Sequence, residues 1–153
     1  MYTPTTEIEI KRLGTGDVAL AQQLIQLFRD VFEREDETDA EPNYLAKLLR
    51  NNTFVALAAI QDNKVIGGLT AYELPMYYSA SSEMFIYDVA VSAEYQRRGI
   101  GKQLLMALRK YCQQQNIPEI FVAAHAEDTH ALEFYQATGG MAEKVVHFTY
   151  SSE

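Results

Sequence analysis

The chain has one cysteine, no tryptophan and four prolines in 153 residues. A lone thiol, Cys112, cannot close an internal disulfide or build a cysteine-based zinc site. No run of about eighteen apolar residues occurs, so no membrane-spanning helix is expected. The opening residues, MYTPTTEIEIK, lack a basic segment followed by an apolar stretch, so no secretory signal is expected and a cytoplasmic protein is the plain reading. Positive charge is scarce, with 13 Lys and Arg against 21 Asp and Glu, a net charge of −8. Such a chain is a poor electrostatic match for nucleic acid or anionic lipid and suits a cationic partner better, although acidity also serves plain solubility. The imbalance is local as well: Asp30, Glu33, Glu35, Asp36, Glu37, Asp39 and Glu41 crowd one short segment in which Arg34 is the only opposing charge.

Apolar residues make up 48% and charged ones 22%, a balance that specifies a folded core rather than disorder. The length suits a single domain spanning residues 1–153. Thr6 to Leu13 alternates, with Ile8, Ile10 and Arg12 on one face, and predicts a strand. Asp17 can cap the following helix, whose Val18, Ala21, Leu24, Ile25, Phe28, Val31 and Phe32 recur at helical spacing. Pro42 opens a second helix carrying Tyr44, Leu45, Leu48 and Leu49. Thr53–Ile60 and Lys64–Leu74 form a hairpin about Asp62-Asn63, with Gly67-Gly68 marking a bulge or a close backbone approach. After a polar, aromatic loop that includes Tyr77 and Tyr78 comes a strand, Glu83–Val91. A glycine-bearing turn leads to a helix with Ile100, Leu104, Leu105, Leu108, Tyr111 and Cys112 on one side. A short strand, Glu119–Ala124, a helix, Ala131–Thr138, capped by Asp128 or Thr129 and stopped by Gly139-Gly140, and a final strand, Glu143–Tyr150, complete the order. The fold class is α+β: one mixed, mostly antiparallel sheet flanked by helices.

The segment DVAVSAEYQRRGIGKQLL, Asp88 to Leu105, carries the functional signal. A strand runs into a turn and the turn opens a helix. The free N–H groups of Arg98, Gly99, Ile100 and Gly101 converge at a helix N-terminus, where the dipole adds positive character, and Arg97, Arg98 and Lys102 add full charges. That is an anion site. It is neither a Walker loop nor a dinucleotide fingerprint, because both spacings are absent. On its own it reads first as a tight strand-to-helix connection whose glycines serve only the turn. A second pattern, A-x-x-F-Y-x-x-x-G, formed by Ala131, Phe134, Tyr135 and Gly139, follows on the later helix.

Together the two motifs resemble the GCN5-related N-acetyltransferases (GNAT), and the fold implied is that of these acyltransferases. Within that family YLAKLLRNNTFVALAAI, LTAYELP, SEMFIYDVAV and VVHFTY are similar to the aminoglycoside 3-N-acetyltransferases of the AAC(3)-I type. The resemblance implies acetyl-CoA as co-substrate, with Gln96, Gly99 and Gly101 at its pyrophosphate, supported by Arg97, Arg98, Ile100 and Lys102. It implies that the backbone of Val89, Ala90 and Val91 pairs with the pantetheine arm, the N–H of Val89 facing the acetyl oxygen. Thr129 stands where many members carry an asparagine that contacts that arm. The implied acceptor is a cationic aminoglycoside of the gentamicin type, acetylated on its 3-amino group, a modification that gives antibiotic resistance. A homodimer is also implied.

Acetyl transfer to an amine requires a neutral amine, a polarised thioester and a proton for the leaving thiolate. Tyr135 is the candidate acid, since a phenol titrates near pH 10 in water and stays protonated at neutral pH. By helix position alone it reads first as a core aromatic; the family pattern gives it the acid role. Asp88 is the candidate base or amine anchor, because a carboxylate inside IYDVAV is costly unless paired or functional. Strand alternation groups it with Ile86 and Ala90, opposite Tyr87, Val89 and Val91, unless a bulge intervenes. Glu83 is a candidate to share that work. Asp36, Glu37, Asp39, Glu127 and Asp128, with Glu83 and Asp88, are candidate substrate-binding carboxylates for a polycation. Tyr77 and Tyr78 either pack on sugar rings or cover the sheet. His125, His130 and His147 lack metal-ligand spacing, so no metal is expected, and Cys112 reads as a packing residue. No nucleophile is placed to form an acetyl-enzyme, so direct attack in a ternary complex is expected. Two other functions fit the same residues: transfer to a polyamine, small metabolite or protein N-terminus, and a non-catalytic acyl-CoA sensor.

Overall fold

The computed structural model describes residues 7–35 and 38–153. They fall into two compact units, Met1–Ala123 and Ala124–Glu153. The N-terminal unit holds a five-stranded sheet in the order β1-β2-β3-β4-β5: β1 Glu9–Arg12, β2 Phe54–Gln61, β3 Lys64–Pro75, β4 Ser82–Val91 and β5 Glu119–Val122. All neighbours are antiparallel except β4 and β5, which run parallel. The mixed, mostly antiparallel sheet with flanking helices is the expected α+β class.

One face of the sheet packs on α3, Ile100–Gln114, through Val55, Leu57, Ile66, Leu69, Met84, Ile86, Leu104 and Leu108. The other face packs on α1, Val18–Phe32, through Ala21, Leu24, Leu27 and Phe28 against Ala56, Ala58 and Ala90. The small residues of β2 let α1 lie close, and each fully buried Leu or Phe contributes roughly 1.5–3 kcal/mol. Beside it runs α2, Pro42–Arg50, with Pro in its first turn as expected. Ile8 and Ile10 join the α3 side, and the Arg12 guanidinium stands 4.5 Å from the centre of the Tyr111 ring, so the predicted face of β1 is observed.

Both readings of Gly67-Gly68 hold. The β2–β3 register shifts between Ala59 and Ile60, leaving Ile66 as the extra residue beside Gly67. At Gly68 an added Cβ would lie 2.8 Å from the Leu57 carbonyl oxygen and would collide with Leu24.

Three local expectations are corrected. Asp17 stands at the N-cap position of α1 but makes no side-chain capping bond. Its carboxylate instead accepts from the Gly14 N–H at 2.7 Å and from Lys11 Nζ at 2.9 Å, and these bonds, that from Gly14 first, hold its pKa below the ordinary carboxylate value. The strand expected at Glu143–Tyr150 does not form. A strand exists only as part of a ladder, and the only regular element of its own unit is the helix α4, Thr129–Ala137. Simple alternation along β4 also fails, with consequences for the site.

The caps of α4 follow expectation. Asp128 Oδ1 accepts from the Ala131 N–H at 3.1 Å, and Gly139, at φ 100°, ends the helix. Gly140 then donates to the Tyr135 carbonyl at 2.8 Å.

Candidate active site

The decisive irregularity lies in β4. Thr70 pairs with Asp88, but the next residue of β3, Ala71, pairs with Ile86, so Tyr87 is an inserted residue. A bulge resets the alternation. Ile86 therefore stays on the α3 face, whereas Tyr87 and Asp88 both line a cavity on the α1 side, and Val89 and Val91 pack toward α3. The expected grouping of Ile86 with Asp88 and Ala90 is corrected: the bulge separates Ile86 from the other two.

That cavity has a volume of about 230 Å³. Leu24, Phe28, Leu45 and Phe54 give it apolar walls, while Thr70, Tyr72, Asp88, Arg29 and Arg34 bring polar groups to it. Burial, with the acidity of Tyr44, Tyr87 and Asp88 adding to it, pushes the Tyr72 phenol above its ordinary pKa, so Tyr72 stays a proton donor through neutral pH.

Asp88 is mostly buried, its side chain 13% exposed. Arg34 meets it through a two-pronged bridge, Nη1 to Oδ2 at 3.2 Å and Nη2 to Oδ1 at 3.1 Å. The turn that delivers Arg34 is built by the end of α1. Glu33 adopts the left-handed conformation at φ 55°, and the Glu33 and Arg34 N–H groups both donate to the Arg29 carbonyl. The Arg34 guanidinium lies 4.7 Å from the centre of the Phe32 ring. Arg29, at the cavity wall, forms an ion pair with Asp39.

The second part of the site is the start of α3. Its N-cap is Gly99, at φ 79° with open space where a Cβ would stand, and Arg97 is also left-handed at φ 65°. The first-turn N–H groups of α3 have no acceptor within the helix, as at any helix start. Ile100, 1% exposed, pins this end to the core. Arg97, Arg98, Gly99 and Lys102 are exposed, with the Arg98 guanidinium 5.2 Å from the centre of the Tyr95 ring. Open amides, an unobstructed glycine and three exposed cations fit a phosphate-bearing ligand. One Gln96 amide hydrogen goes to the Val91 carbonyl at 3.0 Å, tying this turn to the end of β4. Since β5 stops at Val122, opposite Ile86, the edge of β4 from Tyr87 to Val91 extends past the last paired residue of β5.

The other sequence-predicted residues are distributed as follows. Glu83 does not line the Asp88 cavity; it stands five residues back along β4, about 16 Å at strand rise. Asp36 and Glu37 lie outside the described residues. Asp39 is exposed apart from its pairing with Arg29. Glu127, Asp128, Thr129 and Tyr135 belong to the C-terminal unit, where one Asp128 oxygen is engaged as a helix cap and the Tyr135 and Phe134 ring centres lie 5.2 Å apart. Tyr77 and Tyr78 are 98% and 70% exposed, so they do not cover the sheet. Sequence reasoning missed Arg34 and Tyr72 as residues of the cavity. No local pattern marks them, although Arg34 is the lone cation of the acidic run.

Among the described residues no group of three His, Cys, Asp or Glu side chains is arranged to hold a metal, and no helix is long and apolar enough to cross a membrane.

Comparison with known proteins places the chain in a family. A search of curated proteins found no match. Among solved structures, an aminoglycoside acetyltransferase, meta-AAC0020, from an uncultured soil metagenomic sample, in complex with trehalose, is 40% identical. The alignment covers 95% of this chain and 97% of that one, with a TM-score of 0.92. The same enzyme in complex with sisomicin aligns over the same shares at 39% identity and the same TM-score. A second soil metagenomic aminoglycoside acetyltransferase, HMB0005, is 31% identical over 97% of this chain and all of the other, again with a TM-score of 0.92. The model of the acetyltransferase (GNAT) family matches residues 21–140, a span that includes Asp88, the Gln96–Gly101 turn and Tyr135. With most of its length matched in this way, the chain belongs to the GNAT acetyltransferase family.

Proposed function

We propose that this chain is an acetyl-CoA-dependent aminoglycoside N-acetyltransferase, acting on the 3-amino group of 2-deoxystreptamine drugs of the gentamicin type. The carrying observation is the 40% identity, over nearly the whole of both chains, to an aminoglycoside acetyltransferase whose structure has also been solved with sisomicin. The Asp88 cavity supports it: a mostly buried carboxylate that already binds a cation suits an ammonium group. The position on the drug rests on the AAC(3)-I resemblance alone. Acetylation removes one positive charge from the drug, which is the basis of a resistance function. A single acetyltransferase domain over the whole chain, a cytoplasmic location and a homodimer belong to the same reading.

In this reading Gln96, Arg97, Arg98, Gly99, Ile100, Gly101 and Lys102 hold the diphosphate. The backbone of Val89, Ala90 and Val91 lines the arm, and Thr129 contributes a hydroxyl. Acetyl-CoA supplies the activated acetyl group as a thioester. Asp88 orients the acceptor ammonium and accepts its proton, directly or through water. That frees the lone pair for attack in a ternary complex. Tyr72 donates a hydrogen bond inside the cavity. Tyr135 carries the proton that a leaving thiolate needs. Asp36, Glu37, Asp39 and Glu127 attract the other ammonium groups of a polycation. Glu83 stands too far along β4 to share the proton of Asp88.

A thiol-release assay with a panel of amines tests the reading. Gentamicin and sisomicin should release CoA far faster than spermidine or a peptide N-terminus. Preference for spermidine would move the acceptor to polyamines, and release with no amine at all would favour an acyl-CoA sensor.

A further inference from the structure

Arg34 is unusual among the groups at the cavity. It is a cation, in the acidic stretch between α1 and α2, and it saturates the carboxylate that the proposed chemistry needs. The bridge spans 54 positions of sequence and uses both Asp88 oxygens. Its two partners are unequally held. Asp88 is fixed on the bulged β4 and is 13% exposed, whereas Arg34 is 36% exposed and follows a helix end. A buried carboxylate left without a partner is costly, so whatever moves Arg34 must bring its own positive charge. An acceptor ammonium brings that charge. Glu33 and Glu35 flank Arg34 in the chain, so negative charge is near it in sequence wherever the guanidinium moves.

We propose that Arg34 is a place-holding residue: in the absence of the acceptor its guanidinium occupies the ammonium subsite at Asp88, and the substrate displaces it on binding. The proposal rests on the reading of Asp88 as the acceptor's anchor and deepens it. It makes Arg34 a specificity-determining residue, because a single ammonium competes poorly with a two-pronged guanidinium. A polyamine drug, held at the same time by other carboxylates, competes well. Arg34 therefore taxes acceptor binding, and the apparent affinity falls by the fraction of molecules in which the latch is open.

The test is steady-state kinetics of the full chain with acetyl-CoA and gentamicin, comparing wild type, Arg34→Gln and Arg34→Lys. For a latch closed in most molecules, Arg34→Gln should lower the gentamicin KM about three- to tenfold with a much smaller change in kcat. Arg34→Lys, which keeps the charge but loses the fork, should fall between. CoA binding by calorimetry verifies that each variant is folded. A raised or unchanged KM in folded Arg34→Gln overturns the latch while leaving the acceptor reading intact. A wild type that acetylates no aminoglycoside overturns the acceptor reading and the latch with it. Should Arg34→Gln fail to fold, the side-chain NMR signal of Arg34 in the wild-type protein decides. It should shift as gentamicin is titrated in the presence of CoA, and a signal that stays in place overturns the proposal.

Discussion

Replacing Asp88 by Asn keeps the shape of the side chain and removes its charge and its basicity, and the structure separates the costs of the two losses. The stability cost is small. Arg34 is 36% exposed and stays hydrated when its partner becomes neutral. With the remaining guanidinium open to water, losing its partner charge costs about 1 kcal/mol. In a chain of this size that lowers Tm by roughly 2–4 °C. The catalytic cost is large, because an amide accepts no proton at neutral pH. Loss of a positioned general base costs about 100- to 10,000-fold in rate, or roughly 3–5 kcal/mol on the barrier. CoA binding should be unaffected, since the α3 turn begins eight residues further on, at Gln96. The measurements are kcat/KM by thiol release, CoA affinity by calorimetry and Tm by circular dichroism. A loss of less than about fivefold would refute the base role. A parallel collapse of CoA binding and Tm would mean that Asp88 supports the fold rather than the chemistry.

Three further outcomes are expected. Tyr135→Phe should lower the acetylation rate by about 10- to 100-fold with Tm unchanged, as loss of a general acid does; an unchanged rate would remove its acid role. Cys112 is buried among core residues, and burial, with the Glu73 carboxylate adding to it, pushes its thiol up to about 11. Ellman's reagent should therefore react with native protein only at the rate of unfolding, and prompt reaction would contradict the packing role. Asp17 has a lowered pKa, so its bonds to Gly14 and Lys11 stabilise the fold above the ordinary carboxylate range, and that stability is lost as pH falls through the lowered value. Asp17→Asn should cost about 1–2 kcal/mol at neutral pH, with the gap to wild type closing below roughly pH 4 in urea titrations; a gap independent of pH would contradict the assignment.

The parts of this molecule that were legible in the sequence are those whose cause is local. Helical spacing from Val18 to Phe32, Pro42 in a first turn and the Asp62-Asn63 turn each act over a few residues, and each element formed as expected. The glycine-bearing turn before α3 was legible too, and the structure puts Gly99 in it at φ 79°. The misses have non-local causes. The bulge at Tyr87 depends on how β3 and β4 settle against each other, and it alone decides which face Asp88 joins. Arg34 reaches Asp88 because α1 ends in a left-handed turn, which the sequence Phe-Glu-Arg does not advertise. The carboxylate of Asp17 had two competing donors, Gly14 and Lys11, and they won over the helix start. VVHFTY carries strand-forming residues, but propensity does not make a strand without a partner.

The most direct measurement is to incubate the protein with acetyl-CoA and gentamicin and to locate the new acetyl group by NMR. One acetyl on the 3-amino nitrogen of the 2-deoxystreptamine ring is the expected product. Acetylation at another nitrogen would contradict the assigned position, and recovery of unmodified drug beside intact acetyl-CoA would contradict the function itself.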